Sequence, residues 1–88
     1  MDIQTYLERT ETRQHQFARQ FQVSQALVSQ WIHGSVPPIK AVEIERALGG
    51  QVTRPEMRRE DWWLIWPELA PLYPHLLPPD HPDFKQAA

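Results

Sequence analysis

The stretch that decides the fold is Phe17-Ala18-Arg19-Gln20-Phe21-Gln22-Val23-Ser24-Gln25-Ala26-Leu27-Val28-Ser29-Gln30-Trp31. Phe17, Ala18 and Phe21 recur at helical spacing, Gln22 and Val23 interrupt the period, and Ser24 is a natural N-cap for a second helix. In that second helix Leu27, Val28, Trp31 and Ile32 make one apolar stripe, and Gly34 supplies a stop. Two short helices joined by a tight turn explain each apolar choice. A small residue is needed at Ala18 where the backbones approach, and Val28 and Trp31 anchor the second helix on the first. Once it is anchored, Ser24, Gln25, Ala26, Ser29, Gln30 and His33 project as a polar ridge shaped for a major groove.

The ridge contains amides and short hydroxyls, with no carboxylate and no long apolar side chain. Gln25 is suited to a bidentate pair with adenine, donating to N7 and accepting from the N6 amino group, worth roughly 1–3 kcal/mol of discrimination. Gln14, at the start of the preceding helix, is placed to brace Gln25 or to bond a phosphate. Arg13, Arg19, Lys40 and Arg54 are the candidate phosphate partners. His33 either contacts DNA or merely neighbours the carbonyls that end its own helix.

Outward from this unit, Asp2 caps a short helix carrying Ile3, Tyr6 and Leu7 on one face, and Thr12 is the expected cap of the helix containing Phe17. On the other side, Ser35-Val36-Pro37-Pro38 is a stiff connector. Pro38 opens a helix that buries Ala41, Ile44, Ala47 and Leu48, shows Lys40, Glu43 and Arg46 to water, and ends at Gly49-Gly50. Thr53-Arg54-Pro55-Glu56 has the form of a capping box and predicts a fifth helix. Trp62-Trp63-Leu64-Ile65-Trp66 fits a buried strand as well as a helix, and helix is the expectation. Six prolines between Pro67 and Pro82 forbid a continuous helix, so the tail is expected to be extended and partly disordered.

Charge divides the chain. Its net charge of −2 hides eight Lys or Arg against six Asp or Glu in residues 1–59, and one against five in residues 60–88. Between Thr12 and Val42 there is Arg13, Arg19, Lys40 and two histidines but no carboxylate, a surface that does not repel phosphate. Eighty-eight residues allow one compact core. No apolar run approaches the roughly 20 residues of a membrane span. The absence of cysteine excludes disulfides, thiolate metal sites and thiol catalysis. With no secretory signal at the start, the expected location is cytoplasmic.

The quoted stretch resembles the helix-turn-helix of lambdoid repressor and Cro proteins. Gly34, Pro37-Pro38 and the run Ala41-Val42-Glu43-Ile44-Glu45-Arg46-Ala47-Leu48-Gly49-Gly50-Gln51-Val52-Thr53-Arg54 are similar to Cro-like, YdaS-type phage regulators. The likeness spans about residues 13–66. It implies an all-α, five-helix, lambda-repressor-like domain over residues 1–66, followed by a proline-rich acidic tail over 67–88. It also implies a homodimer on a near-palindromic operator in double-stranded DNA, with Gln14 and Gln25 matching the repressors' paired glutamines. Gln22 departs from the pattern, because the turn position usually holds glycine. It must adopt positive φ at a cost of about 1 kcal/mol, or the turn differs locally.

Trp62, Ile65, Trp66 and Leu69 fall on one helical stripe. Together with Trp63 they are read either as a lid on the core or as a dimer interface, and both can hold at once. Trp31 is expected in the core rather than as a stacking platform for bases. His15, His33, His75 and His81 lack metal-ligand spacing and no glycine-rich phosphate loop is present, so no catalytic residue, metal, cofactor or small-molecule substrate is expected. The second functional reading is an antitoxin-like interaction protein that uses the Trp62–Trp66 segment and the acidic tail.

Overall fold

The computed structural model of the chain describes residues 1–86. Six α-helices and two 3-10 helices follow one another: α1 Ile3–Thr10, α2 Gln14–Gln20, α3 Gln25–His33, α4 Pro38–Ala47, α5 Arg54–Met57 and α6 Trp62–Ile65, then 3-10 helices at Pro67–Leu72 and Pro74–Leu76. Among the described residues there is no strand, which makes this an all-α helix-turn-helix domain.

Helix ends carry most of the local logic. The Asp2 carboxylate accepts from Thr5 N at 2.8 Å and starts α1, and the Ser24 hydroxyl accepts from Leu27 N at 3.1 Å and starts α3. The start of α2 differs from the expectation at Thr12. Its N-cap is Arg13, whose N–H donates to Gln16 Oε1 at 2.8 Å, while the Thr12 hydroxyl pairs with that of Thr10. A glutamine three residues into the helix can reach back to the cap N–H, and this leaves the threonine free for its neighbour.

Three helices end in the same motif. Thr12 N bonds Leu7 O, Val23 N bonds Ala18 O, and Gly50 N bonds Glu45 O, with Glu11, Gln22 and Gly49 at φ +53, +57 and +63. Gln22 therefore does adopt the left-handed backbone that its place in the turn requires. The hydrogen bonds that close the end of α2 satisfy carbonyls that would otherwise be orphaned, and this offsets the steric cost at Gln22. At Gly34 the constraint is different: a Cβ would stand 3.1 Å from Gln30 O as the chain leaves α3.

The core is centred on the two helices of the quoted stretch. Phe17, Ala18, Phe21, Val28 and Trp31 are all buried, together with Ile3 and Leu7 from α1 and Ala41, Ile44 and Leu48 from α4 and its end. The Phe17 ring lies 4.7 Å from that of Phe21 and 6.2 Å from that of Tyr6. Ala47, expected inside, is exposed.

The second half departs from the sequence reading in two ways. The fifth helix is split, because the chain turns at Arg58–Asp61, where the Arg58 guanidinium grips both oxygens of Asp61 at 3.0 and 2.8 Å. The tail is not extended over 67–77. Pro67 and Pro74 each open a 3-10 helix, where proline's fixed φ is already suitable and its missing N–H is no loss, and this brings Leu69, Ala70 and Leu77 into the core. The core therefore runs past residue 66. Of the tail, residues 87 and 88 lie outside the described residues.

Candidate nucleic-acid interface

Helix α3 is fixed from beneath. Val28 is fully buried, Trp31 is 4% exposed, and Leu27 and Ile32 are half-buried against the same core. Its far side stands free: Ser24, Gln25, Ala26, Gln30 and His33 are exposed, and Ser29 is half-buried. Neither the described tail nor α4 covers them.

Gln25 opens onto a cleft shared with Thr12, Arg13, Gln14 and His15 at the start of α2. Gln14 is half-buried and Arg13 exposed. Gln14 and Gln25 line the same cleft, but among the described residues no hydrogen bond joins them. The bracing expected of Gln14 is thus a matter of proximity rather than of a formed contact. The structure adds residues that the polar ridge did not reveal. Gln4, Glu8 and Glu11, from α1 and its end, form the opposite wall, and Gln4 donates to Glu8 at 2.8 Å. The acid-free stretch beginning at Thr12 thus has two carboxylates at its border.

The basic residues divide by position. Arg13 and Arg19 are exposed on α2 and its cap. Lys40 and Arg54 are held in the protein's own framework. Lys40 Nζ lies 2.7 Å from Glu43 Oε2 and 3.4 Å from Phe21 O, so it ties α4 to the end of α2. Arg54 donates from its backbone N and from Nε to the two oxygens of Glu45, each at 2.9 Å, and its guanidinium carbon stands 5.3 Å from the centre of the Trp66 ring. Glu45 faces Arg54 across the α4–α5 junction. That pairing between separate helices commits the Arg54 backbone N–H and Nε to the protein's own framework.

The tryptophans divide in the same way. Trp62 is wholly buried, with Trp63 and Tyr73 each 6.1 Å away edge-to-face and its indole N–H directed at Leu76 O at 3.4 Å. Trp66 is buried too. Both are buried in the single chain, Trp62 against Tyr73 and Leu76 and Trp66 beside the Arg54 guanidinium, as the lid reading expects. Trp63 is half-buried, and the exposed residues of the segment are Leu64 and Ile65.

A two-helix unit with an anchored second helix and a free amide-bearing face defines a helix-turn-helix protein. The chain belongs to the bacterial toxin YdaS family, whose model matches residues 8–65, from within α1 to the end of α6. The match takes in α2, α3 and every candidate DNA-contacting residue, and leaves Gln4 of the cleft wall and the 3-10 segment outside it. No curated protein matches the chain. Among the described residues no helix is long and apolar enough to cross a membrane, and no cluster of side chains is suited to hold a metal ion.

Proposed function

We propose that this protein is a sequence-specific regulator that binds double-stranded DNA as a homodimer, with α3 of each copy in successive major grooves of a near-palindromic operator. The supporting observation is the face of α3: Gln25, Ala26, Gln30 and His33 exposed, no carboxylate among them, on a helix pinned by Val28 and Trp31. Amides on such a ridge are suited to adenine edges, and two half-sites about 34 Å apart supply the discrimination that one set of contacts lacks. Arg13 and Arg19 are the phosphate partners in this reading. Repression by occluding RNA polymerase is the default consequence, and no catalytic step is involved.

The antitoxin-like reading draws support from Leu64, which is 73% exposed beside the buried tryptophans, and from exposed Leu72. A protein partner would use these leucines rather than Trp62 or Trp66.

Selection of bound DNA from a random library separates the two readings. The regulator reading expects enrichment of a two-fold-symmetric sequence, and Gln25→Ala lowers affinity for it while leaving the melting temperature unchanged. Absence of any enriched sequence, or indifference to Gln25→Ala, overturns it.

A further inference from the structure

The side of α4 away from the core has a composition that the fold itself does not use. Ala41, Ile44 and Leu48 face inward, whereas Ile39, Val42, Glu43, Arg46 and Ala47 line one open depression on the outside. Ile39 is 87% exposed, although a β-branched aliphatic residue at that position gains nothing from water. Arg46 is exposed and makes no ion pair among the described residues. Glu43 engages Lys40 through Oε2, which leaves Oε1 without a hydrogen-bond partner among the described residues.

This face is complementary to itself. Positions 43 and 46, 42 and 47, and 39 and 50 are all centred on one point of the chain, between Ile44 and Glu45. If two copies of α4 pack antiparallel about a two-fold axis through that point, Glu43 meets the partner's Arg46, Val42 meets the partner's Ala47, and Ile39 meets the partner's Gly50. The bulky end of each helix then lies on the small-residue end of the other. Room exists there, since a Cβ built on Gly49 or Gly50 finds nothing within 4 Å. Antiparallel packing also sets opposite helix dipoles side by side.

We infer that this face of α4 is the homodimer contact, and that its occupant is a second copy of this chain. The inference deepens the dimer part of the proposed function and rests on it, but not on DNA reading. The contact shares no residue with the α3 face. One pair of ten-residue helices makes a contact at the small end of protein interfaces, so association is weak in solution and strengthens on a two-fold operator.

The test uses two charge reversals on the full chain, Glu43→Arg and Arg46→Glu, measured by sedimentation velocity over a range of concentrations, with circular dichroism melting to verify the fold. In each variant like charges meet twice across the axis, and self-association weakens by at least about tenfold. When the two variants are mixed in equal amounts, one copy carries a positive charge at both paired positions and the other a negative charge at both, so opposite charges meet twice. Association is expected to return with 1:1 stoichiometry, whereas Ile39→Asp weakens it alone or in the mixture. Recovery on mixing without any DNA selected upholds the contact and removes the DNA reading. A selected two-fold site that both variants bind as the unaltered chain does removes the contact and keeps the DNA reading. Loss of dimer in Leu64→Glu, with Arg46→Glu self-associating as before, also overturns it.

Discussion

Arg58 Nη1 donates to Val36 O at 2.8 Å, and Val36 N donates to Met57 O at 3.2 Å, so the connector leaving α3 is clamped at Val36 to α5 and its end through both polar backbone atoms of that residue. Val36 itself is fully buried. This clamp fixes the chain just after α3, and hydrogen bonds to a charged group are worth about 1.5–3 kcal/mol. Part of that is screened at Arg58, which retains some exposure. Arg58→Ala is expected to lower the free energy of unfolding by about 1–2 kcal/mol. Urea denaturation checks it, and an unchanged midpoint would show the clamp to be idle.

Gln22 occupies a left-handed position that glycine takes without steric cost. Gln22→Gly is therefore expected to stabilise the domain, by at most about 1 kcal/mol after the greater entropy of an unfolded glycine is set against it. Thermal melting reads the sign. A decrease would mean that the Gln22 side chain makes a contribution its exposure does not suggest.

Truncation of the chain after Trp66 tests the lid. It deletes Leu69 and Leu77, whose burial contributes roughly 1.5–3 kcal/mol each, and Trp62 and Trp66 become wetted. The shortened chain should melt well below the full one and show red-shifted tryptophan emission. Equal melting would return the segment to the status of a tail.

Phosphate contact is predicted for Arg13 and Arg19 and not for Lys40 or Arg54. Arg13→Ala and Arg19→Ala should each reduce the slope of log affinity against log salt by about 1, with little effect on melting. Arg54→Ala should leave the slope intact and lower the melting temperature, because it removes the guanidinium that pairs with Glu45 and stacks on Trp66, leaving Glu45 only the backbone N–H of residue 54. The reverse pattern would place Arg54 at the DNA.

Acid stability should depend on Asp2 and Glu56. Burial alone raises the Glu56 carboxyl, but hydrogen bonds from the chain's N-terminal ammonium, at 2.7 Å, and from Thr53 outweigh it and bring the group below its ordinary range. The backbone and side-chain hydrogen bonds of Thr5 lower Asp2. A carboxyl depressed in the folded state contributes stability that is full above the ordinary carboxylate range, near pH 4, and is lost as pH falls through the depressed value. Glu56→Gln should flatten the acid limb of a stability–pH profile while removing little of its steepness elsewhere. A limb of unchanged slope would locate the acid sensitivity at other groups.

The sequence by itself determined the helix-turn-helix and which side of α3 is polar. Local periodicity, the Ser24 cap and the spacing of Phe17, Ala18, Phe21, Val28 and Trp31 are short-range properties that a 3.6-residue repeat makes legible. The likeness to the repressor pattern marked Gln22 as the residue that either adopts positive φ or alters the turn, and the structure selects the first, at φ +57. What only the tertiary structure decided is which of the exposed-looking groups are spent on long-range partners. Lys40 reaches Phe21 O, Arg54 is taken by Glu45 and Trp66, Val36 by Met57 and Arg58, and Trp62 by Tyr73 and Leu76. Pairings such as Arg54 with Glu45 or Trp62 with Leu76 join separate elements and leave no periodic trace. The prolines of residues 67–77 misled for the same reason, since a composition that forbids an α-helix is silent on whether short 3-10 turns find a surface to cover.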